Sequence, residues 1–149
     1  MVARELSANT QARTGVPLLF VIEGGDDFVV VSARGAAREI ARELGFGVVD
    51  QTRVSAAVSE IVRNVVLYAE QGTVRFIVYQ QGSGHRGLEV IVTDQGPGIA
   101  DIDAVLDGGF STGGGFGRGV SGSRGLMDVF EISSTPGEGT TVRMCKWLP

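Results

Sequence analysis

The chain has 149 residues, of which 43% are hydrophobic and 20% charged, and these values are typical of one globular domain with a sizeable core. Its formal net charge is −4 and no long run of Lys or Arg occurs, which argues against a nucleic-acid-binding protein. A single cysteine excludes an internal disulfide, and no apolar run approaches the ~20 residues that cross a bilayer. We therefore expect a cytoplasmic protein that binds neither nucleic acid nor membrane.

Glycine is the most unusual part of the composition. The chain contains 23 glycines, roughly twice the average share, and many of them lie between Gly96 and Gly125. Glycines clustered in one region often allow the backbone to approach a phosphate group closely.

The first elements along the chain are predicted to be strands. Residues 1–14 are expected to form a flexible polar leader before a single domain at 15–149. Two β-rich runs follow, Leu18–Glu23 and Phe28–Ser32, and the residues Gly24–Asp27 between them predict a hairpin turn.

Two helices are predicted next. Apolar residues recur at helical spacing through Ala33–Leu44, and Gly45 is expected to end this helix. The second helix is predicted to begin at an N-cap on Thr52 and to continue to about Ala69.

The second half of the chain is predicted to be rich in hairpins. Its expected elements are strands Thr73–Gln80 and Gly87–Asp94, a short helix Asp101–Asp107, a glycine-rich loop Gly108–Gly122, a helix Ser123–Val129, and a final hairpin of Glu131–Ser134 with Thr140–Trp147. Consecutive hairpins argue against a parallel, doubly wound sheet. The predicted fold is an α+β two-layer sandwich, in which a mostly antiparallel mixed sheet carries helices on one face.

The second predicted helix carries two polar residues that could line a pocket. Glu60 and Asn64 are four residues apart, so they share one face away from the apolar stripe that should pack on the sheet. Taken alone, simple solvent exposure is the favoured explanation, because most amphipathic helices have such a polar face. Their neighbours on that face include the small apolar residues Ala56 and Ala57, so the face could also line a pocket.

Three glycine segments follow in order. Asp94-Gln95-Gly96-Pro97-Gly98 comes directly after an apolar strand, where an acidic side chain could accept hydrogen bonds from a base amino group. The segment from Gly113 to Gly119 could present backbone N–H groups to phosphate oxygens, and Arg118 within it could add a charge. Gly137-Glu138-Gly139-Thr140 precedes the last strand. Taken alone, each segment could be an ordinary turn or a flexible loop.

The ordered set of these motifs resembles the GHKL ATPase superfamily, which has the Bergerat fold. The resemblance is stronger to one branch, the RsbT-type serine/threonine-protein kinases that act as switches in the stressosome. It rests on the segments GFGVVDQTR, SEIVRNVVLYA, DQGPGIADI, GFSTGGGFGRG, GLMDVF, GEGT and KWL, and it covers about Ala33–Leu148. Departures from the family pattern are Ala100, where proline is frequent, and Phe116 and Arg118 among the lid glycines.

The resemblance implies a role for each matching residue. Glu60 would be the catalytic general base, and Asn64 would coordinate Mg²⁺ at the phosphates of ATP. Asp94 would bind the adenine amino group with support from Thr140. The glycines implied in nucleotide binding are Gly96 and Gly98 at the adenine pocket and Gly113, Gly115, Gly117 and Gly119, with Arg118, in the phosphate lid.

The resemblance also implies partners. A kinase of this branch would phosphorylate STAS-domain scaffold and antagonist proteins of a stressosome, be released by that phosphorylation, and then bind and activate a downstream phosphatase or other output regulator. Two alternatives remain open: an anti-sigma factor kinase that sequesters a sigma factor, and a non-catalytic, nucleotide-dependent binding switch. A histidine-kinase catalytic domain is disfavoured, because the only histidine, His85, lies in a predicted polar turn and no dimerisation helix carries a phosphoacceptor.

Overall fold

The sheet and the helices of the protein are seen in a computed structural model. It describes residues 2–5, 18–69, 71–81, 86–97 and 122–149. The strands are β1 (Val2–Glu5), β2 (Leu19–Glu23), β3 (Gln71–Gln81), β4 (Gly87–Asp94), β5 (Val129–Thr135) and β6 (Gly139–Trp147). The two long helices are α1 (Asp27–Leu44) and α2 (Val48–Tyr68), and residues 122–126 form one further helical turn.

The six described strands form one sheet in the order β1-β3-β4-β6-β5. β2 also pairs with β3, so β1 and β2 occupy different parts of the same edge of β3. Every described pairing is antiparallel. β6 therefore lies inside the sheet, between β4 and β5, and its side chains reach both neighbours.

The core lies between the sheet and the two helices. α1 and α2 pack against each other and over one face of the sheet. The sheet contributes fully buried side chains such as Phe76, Leu88 and Met144, and α2 contributes the aliphatic stripe that includes Val58 and Val62. This arrangement is the predicted two-layer α+β sandwich with helices on one face.

One predicted strand is wrong. Phe28–Ser32 is the start of α1, not the second strand of a hairpin with β2. The Asp26 side chain accepts a hydrogen bond from the Phe28 N–H at 3.0 Å and caps the helix. Val29 and Val30 are buried together with the later core residues of α1, so helical packing outweighs the strand preference of the valine run.

Three other boundaries differ from the predictions. α2 begins at Val48 after Gly47, and the Thr52 hydroxyl donates to the Val48 carbonyl within the helix instead of capping it. The last helical segment covers only residues 122–126, because Val129 already belongs to β5. Val2–Glu5 lies in the predicted flexible leader but forms the edge strand β1.

The remaining predicted elements are confirmed, or fall outside the described residues. Gly45 ends α1 with a positive φ of 100°, as expected for a helix C-cap. The hairpins of β3 with β4 and of β5 with β6 are present. The predicted helix Asp101–Asp107 and loop residues 108–121 lie outside the described ranges. Within those ranges, no helix is long and apolar enough to cross a membrane.

Candidate functional site

A narrow pocket lies where α2 crosses the ends of the central strands. α2 is held on the sheet by its buried apolar residues, and Asn64 lies beside that stripe with Ile61 and Val65. From the sheet, the pocket wall is formed by residues of β4, β5 and β6. The pocket thus has one wall of helix and one of sheet.

The sheet wall consists of two rows of directly opposed residues. One row is apolar and contains Val92, Val142 and Ile132, one residue from each of the three strands. The next row is polar and contains Asp94, Thr140 and Ser134 in the same strand order. We call these three residues the polar row. Directly opposed residues in an antiparallel pair point to the same face, so the polar row borders the apolar row along the pocket.

Asp94 lies at the end of β4 with its carboxylate partly buried. Its Oδ1 accepts a hydrogen bond from the Gly96 N–H at 2.8 Å. Burial raises the pKa of this carboxyl above its usual range, whereas backbone N–H groups of Gly96 and Thr140 lower it by stabilising the charged form. The carboxylate keeps acceptor capacity for a further donor from a ligand.

Thr140 is held by contacts within the β5–β6 hairpin. Its Oγ1 lies 2.8 Å from the Ser134 Oγ, and the Ser134 Oγ also lies 3.0 Å from the Gly139 carbonyl oxygen. Gly139 has a φ of 110°, and a Cβ at this position would collide with the Asp94 carbonyl. Glycine at position 139 therefore lets β6 approach the end of β4 closely enough to pair Thr140 with Asp94.

Gly96 serves the packing of the strand end on α2. A Cβ at position 96 would lie 2.7 Å from the Ala69 Cβ and 3.0 Å from the Asp94 Oδ1. The resemblance implies that this glycine shapes the adenine pocket. The structure adds a different requirement, namely close contact with the end of α2.

Asn64 is the residue on α2 whose polar group lacks a partner. Its Nδ2 is fully buried and has no hydrogen-bond partner among the residues that the structure describes. A buried amide without a partner costs free energy unless something else supplies one. Its position in the pocket wall makes a bound ligand the natural partner.

Glu60 stands apart from the pocket. It lies one helical turn before Asn64, its side chain is 43% exposed, and its Oε1 is 3.9 Å from the Nη1 of Arg63. The structure therefore brings together three of the predicted site residues, Asn64, Asp94 and Thr140, with Gly96 supporting them. It places Glu60 outside the pocket, near solvent.

Six predicted site residues lie outside the described residues. They are Gly98 of the predicted adenine pocket and Gly113, Gly115, Gly117, Arg118 and Gly119 of the predicted lid. Ser134 and the apolar row were not singled out from the sequence. They could have been found by counting back across the turn from Thr140, because Ser134 is the residue directly opposite it.

The pocket suits a magnesium–nucleotide complex better than a metal ion held by protein alone. The described ranges contain no cluster of three or more His, Cys, Asp or Glu side chains that could hold a metal ion. Mg²⁺ usually keeps several waters and binds through one or two protein groups together with substrate phosphates. Asn64 would hold Mg²⁺ through its Oδ1, and its buried Nδ2 could donate to a phosphate oxygen of the same complex.

Comparison with known proteins assigns the fold to a class. The family model of the histidine kinase-like ATPase domain matches residues 28–146. The chain belongs to this family, whose members include the GHKL ATPases. The mycobacterial sensor histidine kinase MprB shares the fold, with a TM-score of 0.51 at 22% identity over 65% of this chain and 71% of that one.

The likeness is much greater to a particular relative. The serine/threonine-protein kinase RsbT of Bacillus subtilis (strain 168) is 49% identical over 119 residues, which cover 80% of this chain and 89% of RsbT. An anti-sigma F factor of Thermoanaerobacter sp. (strain X514) is 29% identical over 119 residues, covering 78% of this chain and 83% of that protein. The similarity to RsbT identifies the enzyme class as protein-serine/threonine kinase, with ATP as the phosphate donor.

Proposed function

We propose that this kinase transfers the γ-phosphate of ATP to Ser or Thr of STAS-domain scaffold and antagonist proteins of a stressosome. Phosphorylation of these proteins releases the kinase, which then binds and activates a downstream partner such as a phosphatase. The reaction takes place in the cytoplasm, where ATP is supplied. The proposal is supported by the 49% identity to RsbT together with the narrow pocket that Asn64, Asp94 and Thr140 line.

The observation that carries the proposal is the buried, unpartnered amide of Asn64 opposite the polar row. The two groups lie on opposite walls of one pocket, with apolar side chains between them. A nucleotide satisfies both walls, because its base amino group donates to Asp94 and its phosphates extend toward Asn64. Mg²⁺ bound beside Asn64 would neutralise charge on the transferred phosphoryl group.

Glu60 is proposed as the general base. Its carboxylate is exposed one helical turn, ~6 Å along the axis, from Asn64. A hydroxyl on a protein substrate can reach an exposed carboxylate. It could not enter the narrow pocket between α2 and the sheet, where the nucleotide base is proposed to bind. Glu60 would accept the proton of that hydroxyl as the oxygen attacks the γ-phosphate. The phosphates are proposed to be covered by Gly113, Gly115, Gly117, Gly119 and Arg118.

Substitution of Glu60 by Gln tests this role. Glu60→Gln keeps the size of the side chain and removes the base, so we expect transfer of labelled γ-phosphate to a STAS-domain substrate to fall by about 100-fold or more. The affinity for Mg-ATP should change little, because Glu60 does not line the pocket in which the nucleotide is proposed to bind.

Glu39→Gln is the matched control. Glu39 is also an exposed helical carboxylate that pairs with an arginine three residues later, but it lies on α1. This variant should phosphorylate the substrate at the wild-type rate. Equal rates for Glu60→Gln and wild type would remove Glu60 from the chemistry.

The relationship to anti-sigma F factors supports a second candidate function. At 29% identity over 119 residues, those relatives match the same part of the chain. A kinase of that kind would hold a sigma factor directly. Affinity purification from the native cell separates the two functions, since recovery of a sigma factor without STAS-domain proteins would overturn the stressosome proposal. Binding of Mg-ATP without transfer to either kind of substrate would indicate a nucleotide-dependent switch.

A further inference from the structure

One face of α1 leaves two large apolar side chains in solvent. Phe28 is 75% exposed and Val31 is 53% exposed. They are three residues apart on the helix, so they are neighbours on the side of α1 that points away from the core. Adjacent exposed apolar side chains on a helix are typical of a surface that packs against another element.

Gly35 continues this face by one further turn of α1. It is exposed in the interior of the helix, four residues after Val31 and seven after Phe28. A Cβ at this position would meet no atom of the described residues within 4 Å. Glycine inside a helix is destabilising relative to other residues, and the packing of the described residues does not require it here. The space above Gly35 is open to a side chain from outside the chain.

Two exposed, oppositely charged residues flank the apolar ones. Asp27 precedes Phe28, and Arg34 precedes Gly35. Asp27 and Arg34 are therefore seven residues apart, which is two turns, and they lie on the same side of α1. The acidic and basic residues repeat the spacing of the aromatic ring and the open space.

These spacings make the face complementary to itself. Val31 lies three residues after Phe28 and four before Gly35. It also lies four residues after Asp27 and three before Arg34. A second α1, laid antiparallel across the first with a two-fold axis at Val31, brings Phe28 opposite Gly35 of the other copy to within about 1.5 Å along the axis. The same rotation brings Asp27 opposite Arg34, and the two-fold axis forms each contact twice.

We propose that the face formed by Asp27, Phe28, Val31, Arg34 and Gly35 is a docking surface for a second copy of this chain, packed antiparallel across α1. The Phe28 ring fills the space above Gly35 of the other copy, and the Val31 side chains pack on each other at the axis. The contacts of Asp27 with Arg34 set the direction, because a parallel pair would place like charges opposite each other.

The dimer is expected to be weak. One pair of helices buries an area at the low end of protein interfaces, below about 1,200 Å², so we expect a dissociation constant in the micromolar range. The inference goes beyond the proposed function, because association requires neither nucleotide nor a protein substrate. A chain that dimerises but does not bind Mg-ATP would leave it intact.

Sedimentation equilibrium of the full chain, without nucleotide, measures this association. The mass should rise from the 15.6 kDa of one chain toward twice that value. We expect the rise to occur between about 1 and about 500 µM protein. A mass of one chain at every concentration would overturn the inference and would leave the face to a helix of another protein.

Gly35→Leu tests the fit of Phe28 above the glycine. The new side chain occupies the space that Phe28 of the other copy would fill, so the dissociation constant of the dimer should rise by about tenfold or more. The variant should fold, because leucine favours a helix more than glycine does and position 35 is open. Val49→Ser is the control, since Val49 is an exposed apolar residue on α2 and its loss should leave the dissociation constant unchanged.

A charge exchange tests the direction of the two helices. Asp27→Arg alone and Arg34→Asp alone each place like charges opposite each other, so each should raise the dissociation constant by about three- to tenfold. The double variant restores opposite charges in the antiparallel pair and should return to within about twofold of wild type. An additive loss in the double variant would overturn the antiparallel arrangement.

A cysteine at the axis tests the register. Val31→Cys should form a disulfide-linked dimer under a mild oxidant, because the two copies of this residue face each other. The native Cys145 is buried and should not compete. Val49→Cys should stay a single chain under the same conditions.

A dimer formed through another surface would also be recognised. Its dissociation constant would be the same for wild type and Gly35→Leu, and Val31→Cys would not cross-link, which together would overturn the inference. If circular dichroism shows that Gly35→Leu does not fold, Phe28→Ser takes its place, since it removes the ring from an exposed position. The expected direction is the same.

Discussion

At the scale of single residues, Gln51 and Asn64 are two amide side chains of α2 that differ in hydrogen bonding. The Gln51 Nε2 donates to the Phe46 carbonyl at 2.8 Å and so closes the turn between α1 and α2. The Asn64 Nδ2 is buried without a partner in the described part of the chain. The first amide stabilises the fold, whereas a buried amide without a partner costs free energy.

This contrast predicts stability changes of opposite sign. Asn64→Leu removes a buried group without a partner, so the free energy of unfolding of the nucleotide-free protein should rise by about 1 kcal/mol. Gln51→Leu leaves the Phe46 carbonyl without its donor and should lower it by about 1 kcal/mol. Urea denaturation followed by circular dichroism measures both. A loss of stability in Asn64→Leu would mean that the amide has a partner in the free protein.

The same substitution separates stability from function. Wild-type protein should melt at a higher temperature when Mg-ATP is added, because the ligand binds the folded state only. Asn64→Leu should lose this increase, although it is the more stable protein without nucleotide. Gln51→Leu should keep the increase.

At the scale of elements, the start of α1 depends on a cap. The valines at positions 29–31 favour a strand when considered alone, and the sequence analysis assigned one there. The hydrogen bond from the Phe28 N–H to Asp26 and the burial of Val29 and Val30 decide for a helix. The sequence signal for this helix start is Asp26, a residue type that often caps helices, followed by apolar residues at helical spacing. The helix begins at Asp27, six residues before the predicted start at Ala33.

Substitution of the capping residue Asp26 should therefore destabilise the protein more than substitution of the adjacent Asp27. Asp26→Ala is expected to lower the free energy of unfolding by about 1 kcal/mol. Asp27→Ala removes an acidic residue of the first turn, which interacts favourably with the helix dipole, so a loss of about 0.3 kcal/mol is expected. Chemical denaturation compares the two variants directly. Equal losses would show that charge, not the capping hydrogen bond, stabilises this end of α1.

The elements of the pocket were predicted to different extents. The helical spacing predicted one shared face for Glu60 and Asn64. Only the packing shows that the Asn64 Nδ2 is buried in the pocket wall, whereas the Glu60 side chain is 43% exposed. Asp94 and Thr140 were predicted as separate motifs, 46 residues apart in sequence. Their alignment depends on the register of β4 with β6, a long-range property that no local pattern contains. Ser134 was missed for the same reason.

At the scale of the whole molecule, the two faces of the sheet differ. The helices cover one face, and the other carries a buried polar cluster around Glu89. Arg143 forms an ion pair with Glu89, the Tyr79 hydroxyl donates to the Glu89 Oε1 at 3.1 Å, and the Cys145 Sγ lies 3.8 Å from the Glu89 Oε2. Cys145 is fully buried on β6, inside the sheet. In the native fold this thiol is shielded from solvent.

Alkylation of Cys145 should therefore report global unfolding. Burial raises the pKa of its thiol to about 11, so the reactive thiolate is scarce at pH 8 as well as inaccessible. We expect alkylation in native buffer to be slower than in urea by on the order of a thousandfold or more, as a stability of at least ~5 kcal/mol requires. Mg-ATP should slow it further.

The measurement follows incorporation of iodoacetamide by mass spectrometry, with circular dichroism on the same samples. Reaction of the thiol at the rate of the unfolded chain, while the dichroism stays native, would show instead that β6 opens locally. The two probes should give the same denaturant midpoint if opening is global.

The unpartnered amide of Asn64 has a consequence for the lifetime of the protein in a cell. Proteases degrade the opened form of a protein. The population of that form falls when a ligand binds to the folded form. With ATP bound in this pocket, as proposed, the folded kinase would be protected from proteolysis. When starvation lowers the ATP concentration, more of the molecules would be empty and would be degraded sooner. The abundance of the kinase, and not only its catalytic rate, would then follow the energy state of the cell.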